Sequence, residues 1–141
     1  MNLHVHKIQH DIAGSDSTGV KFAMPLAKGI QVLSVEAWAA GTEATALEVV
    51  VDKYTDFGIN TSSVEVCSIL FPASNQQGNG FYADMQGTDA LKALGRFEAG
   101  QALVIAVDTA STADKDVSVV IRYIEDAANL KDNADLTKDA Q

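Results

Sequence analysis

The feature that most restricts this chain is a two-residue alternation of side chains, repeated in apolar stretches of five to ten residues with turn-forming residues between them. In residues 46–54, Leu47, Val49 and Val51 project one way and Glu48, Val50 and Asp52 the other. In Ile30–Ala39, Leu33, Val35 and Ala37 share one face and Val32, Ser34, Glu36 and Trp38 the other, before Gly41-Thr42 interrupts the pattern. A helix would scatter such residues around its axis, whereas a strand sorts them onto two faces. Further strands are expected at 3–12, 20–24, 64–71, 81–85, 102–108 and 117–124, and a total of about eight suits two stacked sheets. Only 88–95 reads as a short helix, with Thr88 or Asp89 as N-cap, Leu91 and Leu94 on one side and Gly95 as the stop. The expected fold is all-β, a β-sandwich or jelly roll of about eight strands with extended terminal arms. Residues 1–17 form an N-terminal arm or first strand, 18–126 the sandwich and 127–141 a C-terminal arm.

Four segments carry sharper expectations. Residues 64–71 are apolar on both faces, Val66 and Leu70 against Cys67, Ile69 and Phe71, so this strand is either central or covered by another subunit. Residues 102–107 are apolar on both faces too, which adds to the surface a homotrimer would cover. Leu103, Ile105 and Val107 can share a face with Val117, Val119, Ile121 and Tyr123 if the last two strands pair. Asn79-Gly80 has the composition of a tight turn.

At 141 residues and 47% hydrophobic, the chain has the length and apolar content for one core. Its 19 acidic against 10 basic residues give a net charge of -9, the wrong sign for neutralising phosphates, so nucleic acid is not an expected partner. Nor is a membrane, since no apolar run reaches the ~18 residues of a span. Met1-Asn-Leu-His-Val-His6 lacks the basic-then-apolar order of a signal peptide, and the expectation is a chain complete from its own Met1 and made in a cytoplasm. The tail 127–141 keeps only Leu130 and Leu136 among alanine, asparagine and charge, too little apolar surface to offset its own ordering entropy.

Few residues suggest chemistry. His4-Val-His6 would place two imidazoles on one face of a strand, with His10-Asp11 beyond, and such a pair can grip a transition metal. Cupin enzymes use a His-x-His pair on a jelly roll. Here the preceding glycine and following glutamate of that pattern are missing, and exposed or interfacial histidines are the simpler reading. Cys67 has no context of a catalytic thiol and reads as a buried strand residue. Asp108, Asp114 and Asp116 flank one loop without the spacing of a calcium hand. Asn60-Thr-Ser62 matches a glycosylation sequon, relevant only in a secretory pathway. Neither a Gly-x-Ser-x-Gly elbow nor a phosphate-binding glycine loop is present. Trp38 could form a sugar-stacking platform with Tyr54, Phe57, Phe81 and Tyr82, or serve core or subunit packing. No catalytic, cofactor-binding or metal residue is assigned.

Val35-Glu-Ala-Trp-Ala-Ala-Gly41, Leu47-Glu-Val-Val-Val-Asp-Lys53 and Phe97-Glu-Ala-Gly-Gln-Ala-Leu-Val-Ile-Ala-Val-Asp-Thr109, followed by Val117-Ser-Val-Val-Ile-Arg-Tyr123, carry a resemblance. Across about residues 30–124 the chain resembles small β-sandwich proteins of tailed-bacteriophage virions. That family includes capsid decoration, or cement, proteins and modules of tail appendages. Its last hairpin likewise joins a Gly-led strand ending in aspartate to a closing strand through a Ser/Thr/Ala loop. The resemblance implies a non-enzymatic homotrimer on the capsid exterior that binds the phage major capsid protein, after synthesis in the host bacterial cytoplasm. Two other classes stay open: a sugar- or receptor-binding module of a tail appendage, and a cupin-like metal enzyme. The last is directly testable. Elemental analysis of untagged protein should find no stoichiometric transition metal, and a metal lost in His4→Ala and His6→Ala would restore the enzyme reading.

Overall fold

A computed structural model of the chain describes residues 4–13, 18–39, 46–55, 62–71, 79–109 and 116–125. Their elements run in the order β1 (Val5–Ile12), β2 (Gly19–Pro25), β3 (Ile30–Ala39), β4 (Leu47–Tyr54), β5 (Ser63–Phe71), β6 (Asn79–Asp84), α1 (Asp89–Leu94), β7 (Arg96–Phe97), β8 (Ala102–Thr109) and β9 (Val117–Glu125). One sheet has the order β1-β9-β3-β6, with the short β7 also on β3; the other has the order β2-β8-β4-β5. All pairings are antiparallel. Among the long strands, every step along the chain changes sheet except β4 to β5. That interleaving is the connectivity of a jelly roll.

The core lies between the sheets. Val35, Ala37, Val119 and Ile121 from the first sheet meet Val49, Val51, Leu103, Ile105 and Ile69 from the second, all buried. At one side of the sandwich the edge strands β1 and β2 are bridged by the rings of His10 and Phe22, with centroids 5.3 Å apart. Helix α1 is an excursion at the edge of β3. The Thr88 hydroxyl accepts from Leu91 N–H at 3.1 Å, and Gly95 carbonyl accepts from Val32 N–H at 2.8 Å. Gly95 keeps a right-handed φ of -78°. It is glycine for closeness instead, since a Cβ there would stand 3.0 Å from the Val32 carbonyl oxygen.

Several expectations change. In β3 the pairing with β9 shifts register between Val32 and Ser34. A bulge at Leu33 therefore puts Val32 into the core with Val35 and Ala37, and leaves Leu33 half-buried. A second shift, between Val51 and Asp52, leaves Val66 of β5 without a paired residue, and both Val66 and Cys67 turn inward. β5 is an edge strand of the sheet, not a central one.

The last two long strands do not pair. β8 lies between β2 and β4, whereas β9 lies between β1 and β3 in the opposite sheet. Their shared apolar face is contact across the core instead of a hairpin. β8 also needs no second subunit to cover it, because its central place leaves Leu103, Val104, Ile105, Ala106 and Val107 all buried within one chain. Asn79-Gly80 is the start of β6, paired to Ala39 and Trp38, and not a turn. Residues 5–12, which the sequence leaves between arm and first strand, form a strand paired along its length with β9. The tail 127–141 lies outside the described residues.

The layered core sets a clear expectation for stability. Ile105→Ala should lower the unfolding free energy by about 2–5 kcal/mol in urea denaturation, whereas Lys7→Ala on an exposed face should stay within about 0.5 kcal/mol.

Candidate functional site

The outer face of the first sheet brings together side chains that are far apart in sequence. Register aligns Asp11, Ser118, Trp38 and Gly80 in one row across β1, β9, β3 and β6. The next row holds Gln9, Val120, Glu36 and Tyr82. Trp38 is 57% exposed and Tyr82 63%, the two most exposed large aromatic side chains among the described residues. Around them lies an open depression lined by Glu36, Trp38, Gly80, Phe81 and Tyr82.

Gly80 explains how the indole is held. A Cβ at that position would lie 3.0–3.1 Å from three consecutive atoms of the six-membered ring of Trp38. Nearly equal distances to three neighbouring ring atoms require a face-on approach. The indole thus rests flat against the glycine backbone, with its opposite face toward solvent. Any larger residue would lift the ring. Polar groups beside it are tied to each other. Arg122 Nη1 donates to Glu36 Oε1 at 2.6 Å, and Ser118 Oγ donates to Asp11 Oδ1 at 2.6 Å. The face is therefore a flat aromatic surface beside prearranged donors and acceptors, suited to binding.

Of the aromatic residues singled out in the sequence that the structure describes, only Tyr82 joins Trp38 on this face. Phe81 pairs with the buried Ala37 and packs against the core. Tyr54 ends β4 in the other sheet. Phe57 and Asn60 lie outside the described residues, as does Asp114. The Glu36–Arg122 and Ser118–Asp11 pairs were not legible beforehand, because each needs the neighbours of β9 to be known.

The histidines sit on the core-facing side of edge strand β1. His4 meets His6 edge-on with centroids 4.6 Å apart, and His6 stacks on Tyr123 at 5.1 Å and lies 3.8 Å from Glu125. His10 is directed to Phe22 instead. Among the described residues no group of three or more His, Cys, Asp or Glu side chains is placed to hold a metal ion. Burial, followed by the charge of Asp108 and then Glu65, raises the Asp52 carboxyl above its ordinary value. Lys53 lies over the Phe97 ring at 5.1 Å, and burial lowers its pKa despite the opposing charge of Glu98. Burial, with the Glu65 charge second, pushes the Cys67 thiol up to about 11.

No family model and no curated protein sequence matches the chain. Solved structures similar to it include a chain of the capsid of Ralstonia phage GP4, at 16% identity and TM-score 0.49, covering 86% of this chain and 84% of that one. Another comes from the disulfide-linked pili of Bacillus endospore appendages, at 13% identity and TM-score 0.43, covering 87% and 88%. A third is a chain of infectious bursal disease virus strain Gx, at 9% identity and TM-score 0.44, with 84% of this chain matching 32% of that one.

Two measurements follow from the geometry. Gly80→Ala should displace the indole from the backbone, which the emission of the single tryptophan and its quenching by acrylamide will register without loss of the β-sheet circular dichroism. Cys67 should resist iodoacetamide at pH 8 until the protein unfolds. Its folded thiol holds the proton to about 11, whereas the unfolded thiol releases it near the ordinary 9.0. This stabilising contribution is complete below pH 9.0 and declines as pH rises toward about 11.

Proposed function

We propose that this chain is a structural protein of a tailed-phage virion, a decoration subunit on the outside of the head that holds neighbouring major capsid subunits together. The observation that carries this reading is the edge of the second sheet. β5 is nine residues long, ends that sheet, and presents Leu70 at 55% and Val64 at 43% exposure. A long edge with exposed apolar side chains is a template for pairing with another chain. Jelly rolls serve shell proteins, lectins and cupins alike, so architecture alone does not choose among them. The edge favours assembly, and the virion context comes from the sequence resemblance of residues 30–124.

The opposite edge of the same sheet is β2, which exposes Val20. An edge β5 of one copy meeting β2 of the next is a head-to-tail contact, and such a contact closes on itself when the rotation allows. A homotrimer is the proposed ring. The segment 127–141 is proposed as the arm that reaches the neighbouring capsid subunit, ordering on contact so that each contact is weak and repetition supplies retention. With a net charge of -9, the partner patch is basic and attachment weakens as salt rises.

Mass spectrometry of purified virions should find this chain in a fixed ratio to the major capsid protein. Light scattering of the purified protein should return three times the 14.9 kDa chain mass. Leu70→Asp should abolish that trimer and co-sedimentation with stripped capsids, while deletion of residues 127–141 should keep the fold but weaken co-sedimentation and lower the capsid melting temperature. Absence from virions, or undiminished capsid binding in both variants, overturns the proposal.

A further inference from the structure

We infer that the outer face of the first sheet is a carbohydrate-binding platform on which Trp38 stacks against the apolar face of a neutral pyranose ring. This inference is independent of the capsid-binding reading, which rests on the edge of the other sheet. A head-bound subunit with such a face would also give its particle a grip on glycans.

The state of the indole is the first reason. A large apolar side chain that is 57% exposed on a sheet face has normally some freedom to turn, and ordering it on binding costs affinity. Trp38 is already laid flat by its contact with Gly80, one face on the backbone and the other open. A pyranose ring, whose axial C–H groups form an apolar face of similar size, is matched by such a surface. Tyr82 lies one row along the sheet, about 7 Å by strand geometry, and its hydroxyl adds a donor and an acceptor at the rim.

The second reason is the set of polar groups at the same level. Glu36 stands in the row of Tyr82, and its ion pair with Arg122 holds carboxylate and guanidinium in fixed positions. A guanidinium has five N–H donors and a carboxylate about four lone-pair sites, so the pair retains capacity for a ligand after bonding to each other. Adjacent donor and acceptor groups of this kind match vicinal hydroxyls, which both donate and accept. On the other side of the row, Ser118 and Asp11 supply a second tied pair.

Charge selects the class of ligand. On this face Lys7 and Arg122 stand against Glu36, Asp11 and Asp84, with Arg122 already paired to Glu36. In a chain of net charge -9, such a face has no surplus of positive charge to hold phosphate, sulfate or uronate groups. A stacked nucleobase would bring its phosphate with it. A neutral hexose or N-acetylhexosamine unit brings hydroxyls alone.

Because Trp38 is the single tryptophan, its emission reports the site directly. The full-length protein is titrated to millimolar concentrations with cellohexaose, maltohexaose, mannohexaose and N-acetylchitohexaose, and with polygalacturonate as the anionic counterpart. Calorimetry is run in parallel. At least one neutral oligosaccharide should bind saturably with a shift in emission, and polygalacturonate should not. Trp38→Ala should weaken that binding about tenfold or more, Trp38→Phe should retain part of it, and Tyr82→Ala should weaken it a few-fold, each with unchanged circular dichroism. The inference is overturned if no neutral oligosaccharide binds, if Trp38→Ala binds undiminished, or if Trp38→Ala instead dissolves a dimer of the wild-type protein in sedimentation. None of these outcomes alters whether the chain is found in virions, so the two readings fail separately.

Discussion

Water is kept from the inner faces of both sheets by a single contact, Val35, Ala37, Val119 and Ile121 against Val49, Val51, Leu103 and Ile105, and strands from the whole length of the chain must meet before it closes. β1 pairs with β9, and β2 with β8, so the first strands of the chain wait for the last. Such separations make loop closure entropy fall due early and reward it late, which slows folding and makes it cooperative. No half of the sequence contains a sheet that can be completed alone. The hairpin β4–β5 is the one local unit among the long strands, and it is a natural starting point for the rest.

The same interleaving builds the outer surface. Strands β1, β9, β3 and β6 are neighbours although they come from both ends and the middle of the chain, and only that order sets Asp11 beside Ser118, Arg122 beside Glu36, and Gly80 under Trp38. A rigid core holds their backbones at fixed spacing, so small polar side chains suffice to make a defined face. The histidines show the contrary case. On the edge strand His6 meets His4 edge-on and stacks on Tyr123, whereas His10 turns to Phe22, so the three do not converge on one point.

Much of the fold was legible because period two survives in almost every strand. Residues 46–54 sort as their pattern says, Leu47, Val49 and Val51 inward, and Thr88 caps helix α1 as its hydroxyl suggests. What failed was whatever depends on partners. Chain order made β8 and β9 look like a hairpin, whereas the sandwich sends each to a different sheet. Asn79-Gly80 has turn chemistry, yet glycine serves there to admit an indole from the neighbouring strand. Both misreadings have one cause: local composition states what a residue can do, and the adjacent strand decides which use is made of it. The candidate platform was half visible, since Trp38 and Tyr82 could be named but the Glu36–Arg122 pair could not.

The displacement at Leu33 divides β3 into two half-strands of opposite phase. Upstream of it Val32 points into the core; downstream Val35 and Ala37 do, and Trp38 consequently faces out. If the bulge were flattened with no residue lost, the halves would be forced into a common phase, and either Val32 or the run from Ser34 to Trp38 would exchange sides. In the second case a bulky indole would be driven inward where Ala37 now fits and the aromatic platform would vanish. The bulge at Leu33 is thus a coding element in its own right: where β3 absorbs its extra residue, more than the identity of the neighbours, determines whether this molecule has an aromatic exterior.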